Sequence, residues 1–283
     1  MPVVGHFAST RLPEVLVLQA SPFLGCIFGG FSPQWPDIVL LGLLLLGSLA
    51  LTAHVFVLND WAGHSSDCVD PRRATLVFTR QGISRRQVAF LATALLLVAN
   101  LTFAVIGTPA ILLGTAIAAL SILYSCSQGF GKSTPIAASL NHLLGGTLHF
   151  LLGYTVFHPF DTRGLLIGLF FGLVFAAGHL NQEVRDYDGD LRNGIRTSAV
   201  VYGCKRAFLA SLFAFTAAYA ILFSLSAFGL LPRLLLASVL LWPLHVAWSL
   251  QALRQGAGFE TALWMQQRYR LLFAVIGLAM LAG

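Results

Sequence analysis

Eleven residues of this 283-residue chain are acidic, and seven of them fall in two short stretches. Asp60, Asp67 and Asp70 form the first; Glu183, Asp186, Asp188 and Asp190 form the second. If a helix continues past Asn59, Asp60 and Asp67 share one side of it, with Asp70 about 80° round from Asp60. Glu183, Asp186 and Asp190 stand at i, i+3 and i+7, again on one side. Two carboxylate faces at one membrane surface repel each other unless a cation bridges them. Mg²⁺ suits such a set, because it takes oxygen ligands, keeps waters and is held by one or two carboxylates together with substrate phosphates. The alternative is a pair of solvated loops whose acids balance neighbouring arginines.

The elements that must position these acids are membrane spans. Hydrophobic residues make up 57% of the chain and charged residues 10%, with mean hydropathy +0.80. A soluble domain carries roughly 25% charged residues, so an ordinary cytosolic enzyme and a disordered chain are excluded. The net charge of +6 is spread between apolar runs rather than gathered in a patch, which argues against a nucleic-acid partner. Cys26, Cys68, Cys126 and Cys204 lie far apart and form no CxxC pair, so neither a zinc site nor a disulfide framework is indicated. A span needs roughly 20 mostly apolar residues. Nine are expected, near 13–31, 36–58, 87–107, 109–125, 136–157, 164–184, 206–230, 232–252 and 269–283. The first is not read as a cleavable signal peptide, since it holds Pro22 and several glycines and has no evident cleavage site.

With the N-terminus inside, 15 of the 17 Lys and Arg residues fall on inner segments, leaving only Arg163 and Arg233 outside. Positive charge favours the cytoplasmic side, so the N-terminus and both acidic stretches are placed there. The expected architecture is an all-α integral membrane protein with a single domain over residues 1–283. Gly164, Gly168 and Gly172 recur every four residues, which predicts a close helix-packing face.

The acidic stretches carry a resemblance. Asn59-Asp60-Trp61-Ala62-Gly63-His64-Ser65-Ser66-Asp67 resembles the NDxxDxxxD motif of the UbiA superfamily of intramembrane prenyltransferases, with Gly63 in place of the middle aspartate. Asp186-Tyr187-Asp188-Gly189-Asp190, followed by a basic stretch through Arg196, resembles the family's DxxxD motif. Tyr124-Ser125 with Lys132 downstream is similar to its YS…K segment, without the usual prolines.

The resemblance implies a nine-helix bundle around a central, lipid-accessible cavity, with its active site at the cytoplasmic side. It implies a prenyl diphosphate donor, Mg²⁺ as cofactor, and a small hydrophobic acceptor, aromatic rather than a lipid alcohol. Asp60 and Asp67 are expected to bind one Mg²⁺, with Asn59 as polar partner, and Asp186 and Asp190 the other. Glu183 is expected as a ligand or just behind the ligands, and Asp188 is expected to be solvated. Lys132 and Arg196 are expected on the diphosphate, because an ammonium and a guanidinium suit phosphate oxygens. Arg72 and Arg73 close over the site or serve only as topology signals. Tyr124, Asn141 and His142 are candidates to face substrate, and His179, one turn before Glu183, to line the cavity. Asp70 is the expected substitute for the ligand missing at Gly63; His64 is the poorer one, since imidazole suits Mg²⁺ badly. The rival readings are a terpene cyclase on the same scaffold, a transporter, and a catalytically weak assembly protein.

Overall fold

Prolines, glycines and capping side chains set the helix ends. The computed structural model describes residues 2–70, 74–127 and 131–282, and all regular structure among them is helical. Pro36 and Pro109 open α3 (Trp35–Ala62) and α6 (Thr108–Cys126), where a missing N–H costs nothing. Ser84 and Gln87 form a capping box at the start of α5 (Arg85–Ile106). The Asp161 carboxylate accepts the Gly164 N–H at 2.7 Å to begin α8 (Thr162–Arg192). Gly30, at φ +98°, ends α2 (Ala20–Gly29) in the left-handed region that glycine adopts without a Cβ penalty.

Among the described residues, seven helical segments are long and apolar enough to cross a membrane: Pro2–Gly29, Trp35–Ala62, Arg85–Ile106, Thr108–Cys126, Thr162–Arg192, Cys204–Ala227 and Arg233–Arg254. The expected fifth and ninth spans exist as the helices α7 (Ala137–Phe157) and α12 (Phe259–Leu281) but are not among these seven. Asn141, His142 and His149 in α7, and Gln266, Arg268 and Arg270 in α12, lower their apolarity. Several boundaries differ from the sequence reading, and the helix of the sixth span runs on to Arg192 instead of ending near 184. The first helix starts at Pro2, not near residue 13, and is interrupted at Gln19 between α1 (Pro2–Leu18) and α2. The 232–252 segment is divided into a 3₁₀ stretch, Arg233–Leu240, and α11 (Leu241–Arg254). The last helix begins ten residues earlier than expected, at Phe259.

The chain forms two compact units. The first, residues 1–127 with 151–159, packs α3 against α5 and α6. Phe103 is fully buried there because Gly47 of α3 and Gly114 of α6 leave room for its ring. Gly153 sits against the backbone of Pro22, and Gly29 against the carbonyl of Tyr154. Helices in lipid gain from such close approach through packing, since lipid supplies no hydrophobic drive between them.

The second unit, residues 128–150 with 160–283, packs α8 against α10 (Cys204–Ala227) and α12. The glycine face expected on α8 meets α7 here. A Cβ on Gly172 would run into the Leu143 carbonyl and the Thr147 hydroxyl, and one on Gly168 would lie 3.2 Å from the Thr147 carbonyl. Polar braces hold α12 to α8: the Asn181 amide donates to the Ala262 carbonyl at 2.9 Å, and Arg185 donates to the Gln266 amide oxygen at 3.0 Å.

Gly172→Val should therefore lower stability by about 1–3 kcal/mol through overpacking. Gly145→Ala, where nothing lies within 4 Å, should be neutral or slightly stabilising. Thermal unfolding of both variants in detergent checks the contrast.

Candidate active site

The first acidic stretch is built on the end of α3. Helix α3 stops at Ala62, and α4 (His64–Val69) restarts after one residue, Gly63. Asp60 and Asp67 therefore do not lie on one uninterrupted helix, although Gly63 bonds back to the Asn59 carbonyl at 2.8 Å and Asp67 to the Gly63 carbonyl at 3.0 Å. The backbone at Gly63 has φ −79° and ψ 0°, a conformation open to any residue. Glycine is thus not required there by the turn. A Cβ at this position would lie 3.0 Å from the Asn59 carbonyl, a tight contact, and 3.4 Å from the Asp67 carboxylate.

Asp60 is not left bare. Arg11 of α1 grips it with two nitrogens: Nε donates to Oδ2 at 3.0 Å, and Nη2 donates to Oδ1. Arg11 also pairs with Glu14 at 3.3 Å and lies over the Phe56 ring. This contact was missed in the sequence, where Arg11 counted only as a topology signal. The clue available was an Arg and a Glu three residues apart in an otherwise apolar stretch.

The second acidic stretch ends α8. Asp190 is 4% exposed, and the Lys132 ammonium lies 3.4 Å from its Oδ1. Asp186 is half-buried and held by its neighbour Arg185, with Nε at 2.9 Å and Nη2 at 3.2 Å. Asp188 is exposed, as expected. Glu183 is 3% exposed; its Oε2 accepts the Ala199 N–H at 3.3 Å, and its Oε1 lies 3.0 Å from His179 Nε2. It is turned to α9 (Ser198–Tyr202) and to its own helix. His179 in turn stacks on His142, with ring centroids 3.8 Å apart.

The remaining candidates stand on separate elements. Asn59, Tyr124 and Asn141 are half-buried on α3, α6 and α7, and Arg196 is exposed in the loop after α8. Asp70 caps the end of α4. His64 turns to the Thr79 hydroxyl at 3.0 Å rather than to the acids. Arg72 and Arg73 lie outside the described residues. Among the described residues, no three His, Cys, Asp or Glu side chains gather into a metal-binding group. The donor set nonetheless fits Mg²⁺ by type, because Asp60, Asp67, Asp186 and Asp190 present hard carboxylate oxygens. Asp60, Asp186 and Asp190 are held by cationic side chains rather than by other acids.

Apolar spans in this number define a multi-pass integral membrane protein. The model of the UbiA prenyltransferase family matches residues 21–278, and the chain belongs to that family. No curated protein matches it. Among solved structures, a UbiA homologue from Archaeoglobus fulgidus bound to GPP and Mg²⁺ is similar at TM-score 0.75 and 17% identity, over 98% of each chain. A UbiA homologue from Aeropyrum pernix K1 without ligand gives 0.73 at 18% identity, covering 95% of this chain and 98% of its own. A digeranylgeranylglyceryl phosphate synthase gives 0.72 at 16% identity, covering 100% and 99%. These likenesses establish the fold.

Arg11→Ala should destabilise the protein by about 1–3 kcal/mol, since it strips a charge-assisted pair from a half-buried carboxylate. Asp60→Asn should rescue much of that loss. A double-mutant cycle by thermal unfolding measures the coupling; zero coupling would mean that the fork contributes nothing.

Proposed function

We propose that this protein is a Mg²⁺-dependent intramembrane prenyltransferase that moves an isoprenyl group from a prenyl diphosphate to a small aromatic acceptor. The observation that carries this reading is the Lys132 ammonium 3.4 Å from the Asp190 carboxylate at the end of a membrane-length helix, a cation that suits phosphate beside an oxygen donor that suits Mg²⁺. The likeness to a relative bound to GPP and Mg²⁺ supports the same donor class. In this reading residues 1–283 act as one nine-span domain, N-terminus in the cytoplasm, with the acidic stretches on that side.

Asp60 and Asp67 are one pair of Mg²⁺ ligands, and Asp186 and Asp190 the other. Mg²⁺ held by these carboxylates would supply positive charge against the diphosphate as it departs. Lys132 stands 3.4 Å from Asp190, beyond a tight hydrogen bond, which leaves ammonium protons for diphosphate oxygens. Arg196, exposed in its loop, supplies a second donor, and Arg72 a third. Asn59, Tyr124 and Asn141 are assigned to substrate contact. The allylic C–O bond breaks with its electron pair leaving on the diphosphate. The resulting cation must be kept from water, which the apolar spans exclude. An aromatic carbon then bonds to it, and loss of the ring proton restores aromaticity.

Asp60→Ala and Asp190→Ala should each abolish diphosphate release while the protein remains folded, and EDTA should do the same to the wild type. Normal rates in both variants would refute the metal assignment. Product analysis with and without aromatic acceptors completes the test: a coupled product supports a transferase, and a cyclic hydrocarbon formed without acceptor overturns it in favour of a cyclase. Gly63→Asp adds a carboxylate beside Asp67 and should lower the Mg²⁺ concentration for half-maximal rate severalfold, whereas Gly63→Ala should not. Titrating activity against Mg²⁺ separates the two.

A further inference from the structure

Arg196 stands between two helix caps, with no other residue between them. At the end of α8 the Gly194 N–H donates to the Leu191 carbonyl at 3.2 Å, and the Ile195 N–H donates to the Asp190 carbonyl at 2.9 Å. Gly194 supplies the left-handed backbone that this pair of bonds needs, at φ +66°. Thr197 then caps α9, its Oγ1 accepting the Val200 N–H at 3.4 Å. The Thr197 N–H donates to the Ile195 carbonyl at 3.0 Å, closing the chain around Arg196. The Arg196 backbone is thus held on both sides while its side chain stays exposed.

The α9 side of this hold leads to Glu183. Helix α9 has five residues, too few to be stable without an outside anchor. The buried Ala199 N–H, three residues after Arg196, donates to Glu183 Oε2 at 3.3 Å and so ties α9 to α8. His179 Nε2 lies 3.0 Å from the other carboxylate oxygen, and His142 of α7 stacks on the His179 ring. The carboxylate is therefore set in place from α7 and α8 before it meets α9. A carboxylate on a membrane-length helix is unfavourable enough that a functional role is its default reading. An apolar residue would fill the same space without that penalty, but it would leave the Ala199 N–H without this acceptor.

We propose that Glu183 is a positioning residue for Arg196: by anchoring α9 it holds the exposed guanidinium ready for the diphosphate at the end of α8. That role rests on the prenyl diphosphate reading of the site. A guanidinium binds phosphate oxygens through a planar fork, so its orientation matters more than that of an ammonium. Fixing the backbone beneath it lowers the ordering cost when the ligand arrives. Asp190 links the two cations, since its carbonyl anchors Ile195 while its carboxylate meets Lys132. Glu183 itself touches neither cation; its effect on the ligand passes through α9.

The test is calorimetric binding of inorganic diphosphate, with Mg²⁺ present, to the full-length protein in detergent. Arg196→Ala should weaken binding about tenfold, the factor for one charge-assisted hydrogen bond. Glu183→Leu should weaken it severalfold in the wild-type background and add nothing in the Arg196→Ala background. Glu183→Gln, whose amide oxygen can still accept the Ala199 N–H, should restore wild-type binding. Equal losses from Glu183→Leu in both backgrounds would overturn the proposal, and a raised Mg²⁺ requirement in Glu183→Gln would reassign Glu183 to the metal. Hydrogen exchange over residues 197–202 needs no variant: these amides should exchange slowly before diphosphate is added and no more slowly afterwards. Protection gained only on diphosphate binding would overturn the proposal even if Glu183→Leu fails to fold. A wild type that binds no diphosphate would overturn the prenyltransferase reading as well, whereas binding that Glu183→Leu leaves unchanged would overturn this proposal alone.

Discussion

A carboxylate set among apolar helices is tolerated only when something positive or protic meets it, and that requirement organises this molecule. Arg11 meets Asp60, Arg185 meets Asp186, Lys132 meets Asp190, and the Ala199 N–H and His179 meet Glu183. The partners come from different places: a helix before the acid in sequence, the adjacent residue, a preceding segment, and the start of a short helix. Asp60, Asp190 and Glu183 thus each tie another segment to the end of a span, while Asp186 is held within its own helix. The backbone obeys the same demand, since in a bilayer an isolated segment satisfies its own N–H and C=O groups only as a helix.

The two acidic stretches were legible because acids are rare in an apolar chain and their spacing can be counted. Lys132 was read as a diphosphate contact and lies beside Asp190. Counting along a helix gives the side a residue occupies but not which neighbour takes that side. Glu183 shares a helical side with Asp190 in sequence, yet it is claimed by the Ala199 N–H from α9. Arg11 was assigned to a loop because Gly5, Pro2 and Pro13 blur the start of the first helix; once α1 begins at Pro2, Arg11 is carried to Asp60. The break at Gly63 was equally hidden, because a glycine costs a helix only about 1 kcal/mol and need not end it.

The helices with the most polar interiors show what hydropathy alone omits. In α12, Gln266 accepts from Arg185 while the Ala262 carbonyl accepts from Asn181, so polarity there holds two helices together. In α7, His142 stacks on His179, and Thr147 lies against the glycine face of α8. Polar residues inside these helices are therefore contact points between helices.

Gly63 has a genetic consequence. Its backbone dihedrals admit any residue, and a side chain there would need only a small yielding of the Asn59 carbonyl to stand beside Asp67. The codons GGC and GAC differ by one transition, so a glycine encoded by GGC becomes aspartate in a single mutational step with no rebuilding of the turn. The departure from the family's acidic pattern at this position is one that a lineage can enter or leave by drift. Its persistence in any descendant measures selection on the acid itself rather than on the fold around it.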